Sequence, residues 1–190
     1  FKSGRWDGKT RLFNIRNNEL PVGLWEYLQE FVRPRNYKLD VENDGVYGIP
    51  AQDQAIEPSV VKNFIEQLNL PFTVRDYQFD AVIQALRSKR AILLSPTGSG
   101  KSLIIYILMR WYLANNNKRI LVVVPTTSLV QQMFSDFASY GLDAEAVCHR
   151  IYSGMPKNNI PQKVFISTWQ SIYKLPSAWF EQFGCIFGDE

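Results

Sequence analysis

Residues 93–102, Leu-Leu-Ser-Pro-Thr-Gly-Ser-Gly-Lys-Ser, place two glycines, a lysine and a hydroxyl in the order that a phosphate group requires. Gly98 and Gly100 can adopt backbone conformations that turn successive N–H groups toward one anion. A helix beginning at Lys101 would add its N-terminal dipole to the same point. Lys101 then reaches the β- and γ-phosphates, and the Ser102 hydroxyl is placed to hold Mg²⁺. Thr97, Gly98, Ser99, Gly100, Lys101 and Ser102 are therefore the candidate nucleotide-binding residues. The general pattern G-x-x-x-x-G-K-[ST] asks for glycine where Ser95 stands. That position is remote from Lys101, so the exchange costs little if the small side chain fits beneath the loop.

A second set of candidates closes the chain. The apolar run Cys185-Ile186-Phe187-Gly188 leads into Asp189-Glu190, 88 residues beyond Lys101. An apolar strand ending in two acids is the arrangement that delivers an aspartate to the metal and a glutamate to the attacking water. Lys101, Asp189 and Glu190 are the candidate catalytic residues, with Ser102 and Asp189 as metal ligands. Cys148, Cys185 and the single histidine, His149, form neither a disulfide framework nor a zinc pattern, and both thiols are read as small buried apolar groups.

The net charge of +3 conceals an asymmetry. Residues 1–16 hold Lys2, Arg5, Lys9, Arg11 and Arg16 against Asp7, a local excess of four positive charges. With Trp6 and Phe13 interleaved, this cluster suits a phosphate backbone with rings for stacking. It equally suits a solvated strand face whose aromatics enter a small core. No apolar run reaches the length of a membrane span and no signal peptide opens the chain, so a cytoplasmic location is expected. The chain begins at Phe1 and stops after a strand-like run, and is expected to be part of a longer protein.

Patterning supplies the elements that must position these groups. In the front segment, residues 9–15 and 37–41 read as strands, and Leu24, Tyr27, Leu28, Phe31 and Val32 mark an amphipathic helix ended by Pro34. Residues 42–57 carry glycines, a proline and acids without periodicity, so a small α+β domain is expected over 1–56 and a second domain over 57–190. In the latter, helices with Val61, Phe64, Ile65 and Leu68, and then Phe79, Val82, Ile83 and Leu86, precede a strand at 91–95, a helix at 101–114 and a strand at 119–124. A helix at 127–139, strands at 146–151 and 164–168, a short helix near 170–174 and a strand at 184–188 follow. Short apolar strands alternating with helices predict an α/β fold with a parallel sheet covered on both faces.

Three further stretches fix the class by resemblance. Arg75-Asp76-Tyr77-Gln78, with Gln78 lying 23 residues before Lys101, resembles the upstream glutamine motif of superfamily 2 helicases. Pro125-Thr126-Thr127-Ser128-Leu129-Val130-Gln131-Gln132 is similar to their motif P-T-x-x-L-x-x-Q after the next strand, and Ser167-Thr168-Trp169-Gln170-Ser171 to a later strand-end motif. The front segment, with its Trp6-Asp7-Gly8 and Leu20-Pro21-Val22-Gly23-Leu24, resembles phage members of that superfamily. The resemblance implies a RecA-like P-loop NTPase domain, ATP and Mg²⁺ as cofactors, and Gln78 reading the adenine edge. It implies DNA as partner, in branched form or as single or double strands, possible RNA in R-loops, and a monomer. Thr126, Thr168, Arg5, Lys9 and Arg11 become nucleic-acid candidates. For Thr126, Thr127 and Ser128 the alternative is helix capping. Trp169, opening a short helix, reads as a core residue, with base stacking as the alternative.

The implied activity is that of an ATP-dependent DNA helicase. Two other readings stay open: a double-strand translocase that does not separate strands, and a nucleic-acid binding module with an inactive nucleotide site.

Overall fold

The computed structural model of the chain describes residues 9–41, 56–88, 90–152 and 154–189. It divides into two compact units, Phe1–Gln52 and Asp53–Glu190.

Among the described residues of the first unit one α-helix, α1 (Trp25–Val32), is flanked by 3₁₀ turns at Val22–Leu24 and Arg33–Arg35. Pro34 stops the helix, and Asn36, at φ 53°, turns the chain away from it. Leu24, Leu28 and Val32 lie on one half-buried line, whereas Tyr27 and Phe31 are exposed. The apolar stripe is wider than so small a unit can cover, so its flank stays in water. The expected strands at 9–15 and 37–41 do not form; the β pairing among the described residues of this unit is one antiparallel bridge, Asn14 with Glu19. Much of the expected connecting segment lies outside the described residues.

The second unit opens with α2 (Pro58–Gln67), begun by a proline at its first turn, and α3 (Asp76–Ser88). Then come α4 (Lys101–Asn115), β1 (Arg119–Val124), α5 (Thr127–Ser139) and a single turn of helix, α6 (Ala144–Val147). The chain finishes with β2 (Cys148–Ile151), β3 (Val164–Thr168), α7 (Trp169–Ile172), α8 (Ser177–Phe180) and β4 (Phe183–Gly188). The four strands form one parallel sheet in the order β2-β3-β1-β4.

Side-chain alternation explains the layers. Ile120, Val122 and Val124 of β1 and Val164 and Ile166 of β3 enter one core with α4 and α5. Leu121 and Phe165 enter a second core with Ile151, Ile172, Trp179 and Phe183. A strand that feeds both faces must be apolar throughout, which is why β1 and β3 read as unbroken hydrophobic runs. The helix α4 has seven consecutive buried residues, Leu103–Met109, and is apolar all round because it packs in the middle of the unit.

One expected strand is absent. Residues 91–95 make no ladder, and Ile92 and Leu94 are 88% and 96% exposed while Leu93 packs on the core. The segment keeps a strand's alternation of sides but, among the described residues, has no strand beside it to satisfy its backbone. The expected strand at 146–151 is shortened at its start, because Asp143 caps α6 by accepting from the Ala146 N–H.

Burial therefore predicts unequal costs for like residues. Ile107→Ala, at a fully buried site in α4, is expected to cost about 2–5 kcal/mol in denaturant unfolding. Ile92→Ala is expected to stay within about 0.5 kcal/mol of the parent. Equal costs at the two sites would contradict this placement.

Candidate functional site

The phosphate loop lies between residues 91–95 and α4, and its shape follows from its glycines. Gly98 and Gly100 have φ of 78° and 79°, conformations that side chains rarely accept. Gly100 caps α4, and its carbonyl accepts the Leu103 and Ile104 N–H groups at 3.0 and 3.2 Å. The Ser99 N–H closes a turn onto the Pro96 carbonyl at 3.2 Å. Ser95, at the position where the general pattern has glycine, hydrogen-bonds the Ser99 hydroxyl across the neck of the loop. Here the serine is a fastening, and it fits.

The start of α3 grips this loop. Tyr77 Oη and Gln78 Nε2 both donate to the Ser99 carbonyl at 2.9 Å, and Gln78 Oε1 accepts the Arg75 N–H at 3.0 Å. Gln78 is buried, and a Cβ added at Gly100 would collide with its Nε2. The glutamine amide is thus engaged at both ends within the protein, which leaves one of its hydrogens for any ligand. A cleft of about 810 Å³ opens beside it, walled by Arg75, Tyr77 and Gln84 on one side and by Ser95, Pro96 and Thr97 on the other. Tyr77, next to Gln78 on the same helical turn, is a second anchor of the loop that the motif's spacing does not single out.

Lys101 and Ser102 are both engaged. Lys101 Nζ donates to the Ser95 carbonyl at 3.4 Å, a long bond easily exchanged for a better acceptor. Ser102 Oγ shares a 2.8 Å hydrogen bond with Tyr140 Oη, just past the end of α5. Tyr140 is held in turn by the Tyr106 ring, centroids 5.3 Å apart, and its carbonyl accepts from Tyr106 Oη at 3.3 Å. Burial raises the Tyr140 pKa, and the bond to Ser102 opposes that rise. A lone tyrosine after an amphipathic helix carries no sequence signal that separates it from ordinary core.

Asp189 follows β4, with its N–H bonded to the Val123 carbonyl at 2.9 Å. Desolvation raises its pKa and the Lys101 charge lowers it, with desolvation the larger effect. The loop lysine and the strand-end aspartate therefore share one electrostatic neighbourhood. Glu190 and Arg5 lie outside the described residues; Lys9 and Arg11 are exposed in the first unit. Burial holds the Cys148 thiol up at about 12 and the Cys185 thiol at about 11, so neither is a ready nucleophile.

Two further turns lie at the carboxyl ends of β1 and β3. Thr126 caps α5, its Oγ1 accepting the Leu129 N–H at 3.3 Å and meeting Ser128 Oγ at 2.9 Å. Thr168 is buried, and its hydroxyl is spent on Ser171 Oγ at 2.9 Å. Its side chain is thus withdrawn from the surface that a backbone-contacting residue would need. Trp169 is 53% exposed, which corrects its reading as a core residue. The helix α7 is too short to bury both faces, and Ile172 takes the inward one.

Comparison with known proteins adds the following. Residues 59–190 match the family described as Type III restriction enzyme, res subunit. The whole chain is 37% identical, over 197 aligned residues, to the ATP-dependent DNA helicase uvsW of Enterobacteria phage T4 and spans 38% of that protein's length. A crystal structure of the UvsW helicase from bacteriophage T4 matches with a TM-score of 0.80 and 35% identity, over all of this chain and 68% of that one. A second T4 UvsW crystal structure gives the same score and identity over 39% of its chain.

The glycines and the aspartate give separable predictions. Gly100→Ala should weaken nucleotide binding, measured by calorimetry, more than Gly98→Ala, because both are strained but Gly100→Ala also displaces Gln78. A larger effect at Gly98 would refute the clamp. For Asp189 the folded state holds its proton more tightly than the unfolded chain, so its ionisation costs stability as pH rises above the ordinary carboxylate range. Asp189→Asn should therefore gain on the parent in thermal midpoint between about pH 3 and pH 7. A variant that loses ground over that interval would show that the carboxylate is stabilised.

Proposed function

Because the chain belongs to the Type III restriction enzyme res-subunit family, within the superfamily 2 helicases, we propose that it is the nucleotide-binding part of an ATP-dependent DNA helicase. The observation that carries the proposal is a glycine-shaped loop with Lys101 at its end, whose charge acts on the partly desolvated Asp189, while residues 95–99 of the same loop wall a cleft against the start of α3. Resemblance to the T4 ATP-dependent DNA helicase along the whole chain supports DNA as the partner; a single-chain motor acting on branched structures, including forks, junctions and R-loops, is the finer part of the proposal.

The loop's backbone N–H groups and Lys101 bind and orient the phosphates, and Thr97 and Ser99 line the loop around them. Gln78 and Tyr77 hold the Ser99 carbonyl, so the cradle is shaped before nucleotide arrives and its ordering cost falls on folding. Gln78 has one remaining hydrogen with which to meet the adenine edge.

The residues present fit Mg²⁺. Ser102 and Asp189 offer hard oxygen donors, and among the described residues no cluster of three His, Cys, Asp or Glu exists to make an all-protein cage. Bound there, Mg²⁺ would neutralise charge on the phosphate oxygens. Partial burial leaves the Asp189 carboxylate incompletely hydrated and open to a cation. Ser102 must exchange its bond to Tyr140 to join it. Glu190 is proposed to orient the attacking water. Thr126, Arg5, Lys9 and Arg11 are proposed to meet the DNA backbone, and Thr168 to set the turn that presents its neighbour.

The family match supports a second reading, a translocase that moves along duplex DNA without separating strands. A strand-displacement assay run beside a triplex-displacement assay on the whole protein distinguishes the two. For either motor, Lys101→Ala in the whole protein is expected to lower DNA-stimulated ATP hydrolysis by about 10³-fold or more. Turnover near that of the parent would overturn the assignment.

A further inference from the structure

The helix α7 presents two faces of opposite character. Ile172 is buried in the second core, while Trp169 and Tyr173, four residues apart and so on one side, are 53% and 58% exposed. Their ring centroids lie 5.6 Å apart at 60°, and Lys174 Nζ stands 5.4 Å from the Tyr173 centroid. Rings of this size normally gain by burial, so a neighbouring pair left half in water is an unsatisfied apolar surface.

The mount beneath the rings is fastened. Lys157 Nζ donates to the Ser171 carbonyl at 2.7 Å, Thr168 Oγ1 bonds Ser171 Oγ, and Gln170 Nε2 reaches the Pro125 carbonyl at 3.5 Å. The last of these ties α7 to the turn that carries Thr126. Between Glu145, which pairs with Arg150 at 3.2 Å, and Glu181, the remaining charged residues are Lys157, Lys163 and Lys174. Rigid exposed rings beside cations, at the carboxyl edge of a parallel sheet, combine the two features that single-stranded nucleic acids recognise.

We propose that Trp169 and Tyr173 form a base-stacking platform for single-stranded nucleic acid, with Lys174 meeting an adjacent phosphate. The proposal rests on the reading that nucleic acid lies along this edge, and adds that the protein there grips bases as well as backbone. Duplex DNA keeps its bases inside the stack and offers the platform nothing, so the contact favours separated strands.

The test measures binding of this chain, by fluorescence anisotropy, to a thymidine oligonucleotide and to an abasic oligonucleotide of equal length. The parent should bind the thymidine strand more tightly. Trp169→Ala and Tyr173→Ala should each weaken that binding by about 5-fold or more while leaving abasic binding unchanged, and Trp169→Phe should keep most of it. Lys174→Ala should weaken both. Alanine variants that bind the thymidine strand as well as the parent would overturn the platform and leave the backbone reading standing, as would equal losses in Trp169→Phe and Trp169→Ala. A parent that binds neither strand would overturn both readings.

Discussion

The strands of the second unit all run one way, and most of what the molecule presents to ligands follows from that constraint. A parallel sheet gathers the exits of all its strands on one edge. Thr126 after β1, Trp169 after β3 and Asp189 after β4 are consequently neighbours in architecture although 63 residues separate the first from the last. The same constraint demands cover on both faces, and β1 and β3 meet it by sending alternate side chains into two separate cores. Helices follow β1 and β3, α5 after the first and α7 after the second, so each of those two exits leads into a helix.

The phosphate loop is integrated differently. Its supporting segment has no ladder, and the loop is held by side chains: two donors from one turn of α3 converge on the Ser99 carbonyl, and the Ser95 and Ser99 hydroxyls meet. The left-handed glycine that aims the loop is also the one whose missing Cβ admits Gln78. Conformation and packing therefore demand glycine at position 100 for independent reasons. At Gly98 only the first applies, since nothing approaches its Cβ position.

The legible parts of this fold were those where one local signal suffices. The glycines and lysine of residues 98–101 announce an anion cradle, and α5 and the apolar runs of β1 and β3 formed as their patterns indicate. Illegible parts depend on neighbours. Residues 91–95 carry a strand's composition, but pairing needs a second strand, and composition cannot supply one. Tyr27, Phe31 and Trp169 were placed inward because they are large and apolar. Whether such a ring is covered depends on how much surface the surrounding unit has available, and both α1 and α7 belong to parts too small to cover every apolar side chain. The contact of Tyr140 with Ser102 spans 38 residues and two helices, a relation no window of sequence contains.

The sheet ends at β4, where Ile186 is 59% exposed and, among the described residues, no strand lies beyond. Such a margin carries unpaired N–H and C=O groups at strand spacing, a template that accepts whatever extended chain arrives. Ile92 and Leu94 are likewise turned to water, so the described residues carry apolar side chains beside backbone that no ladder satisfies.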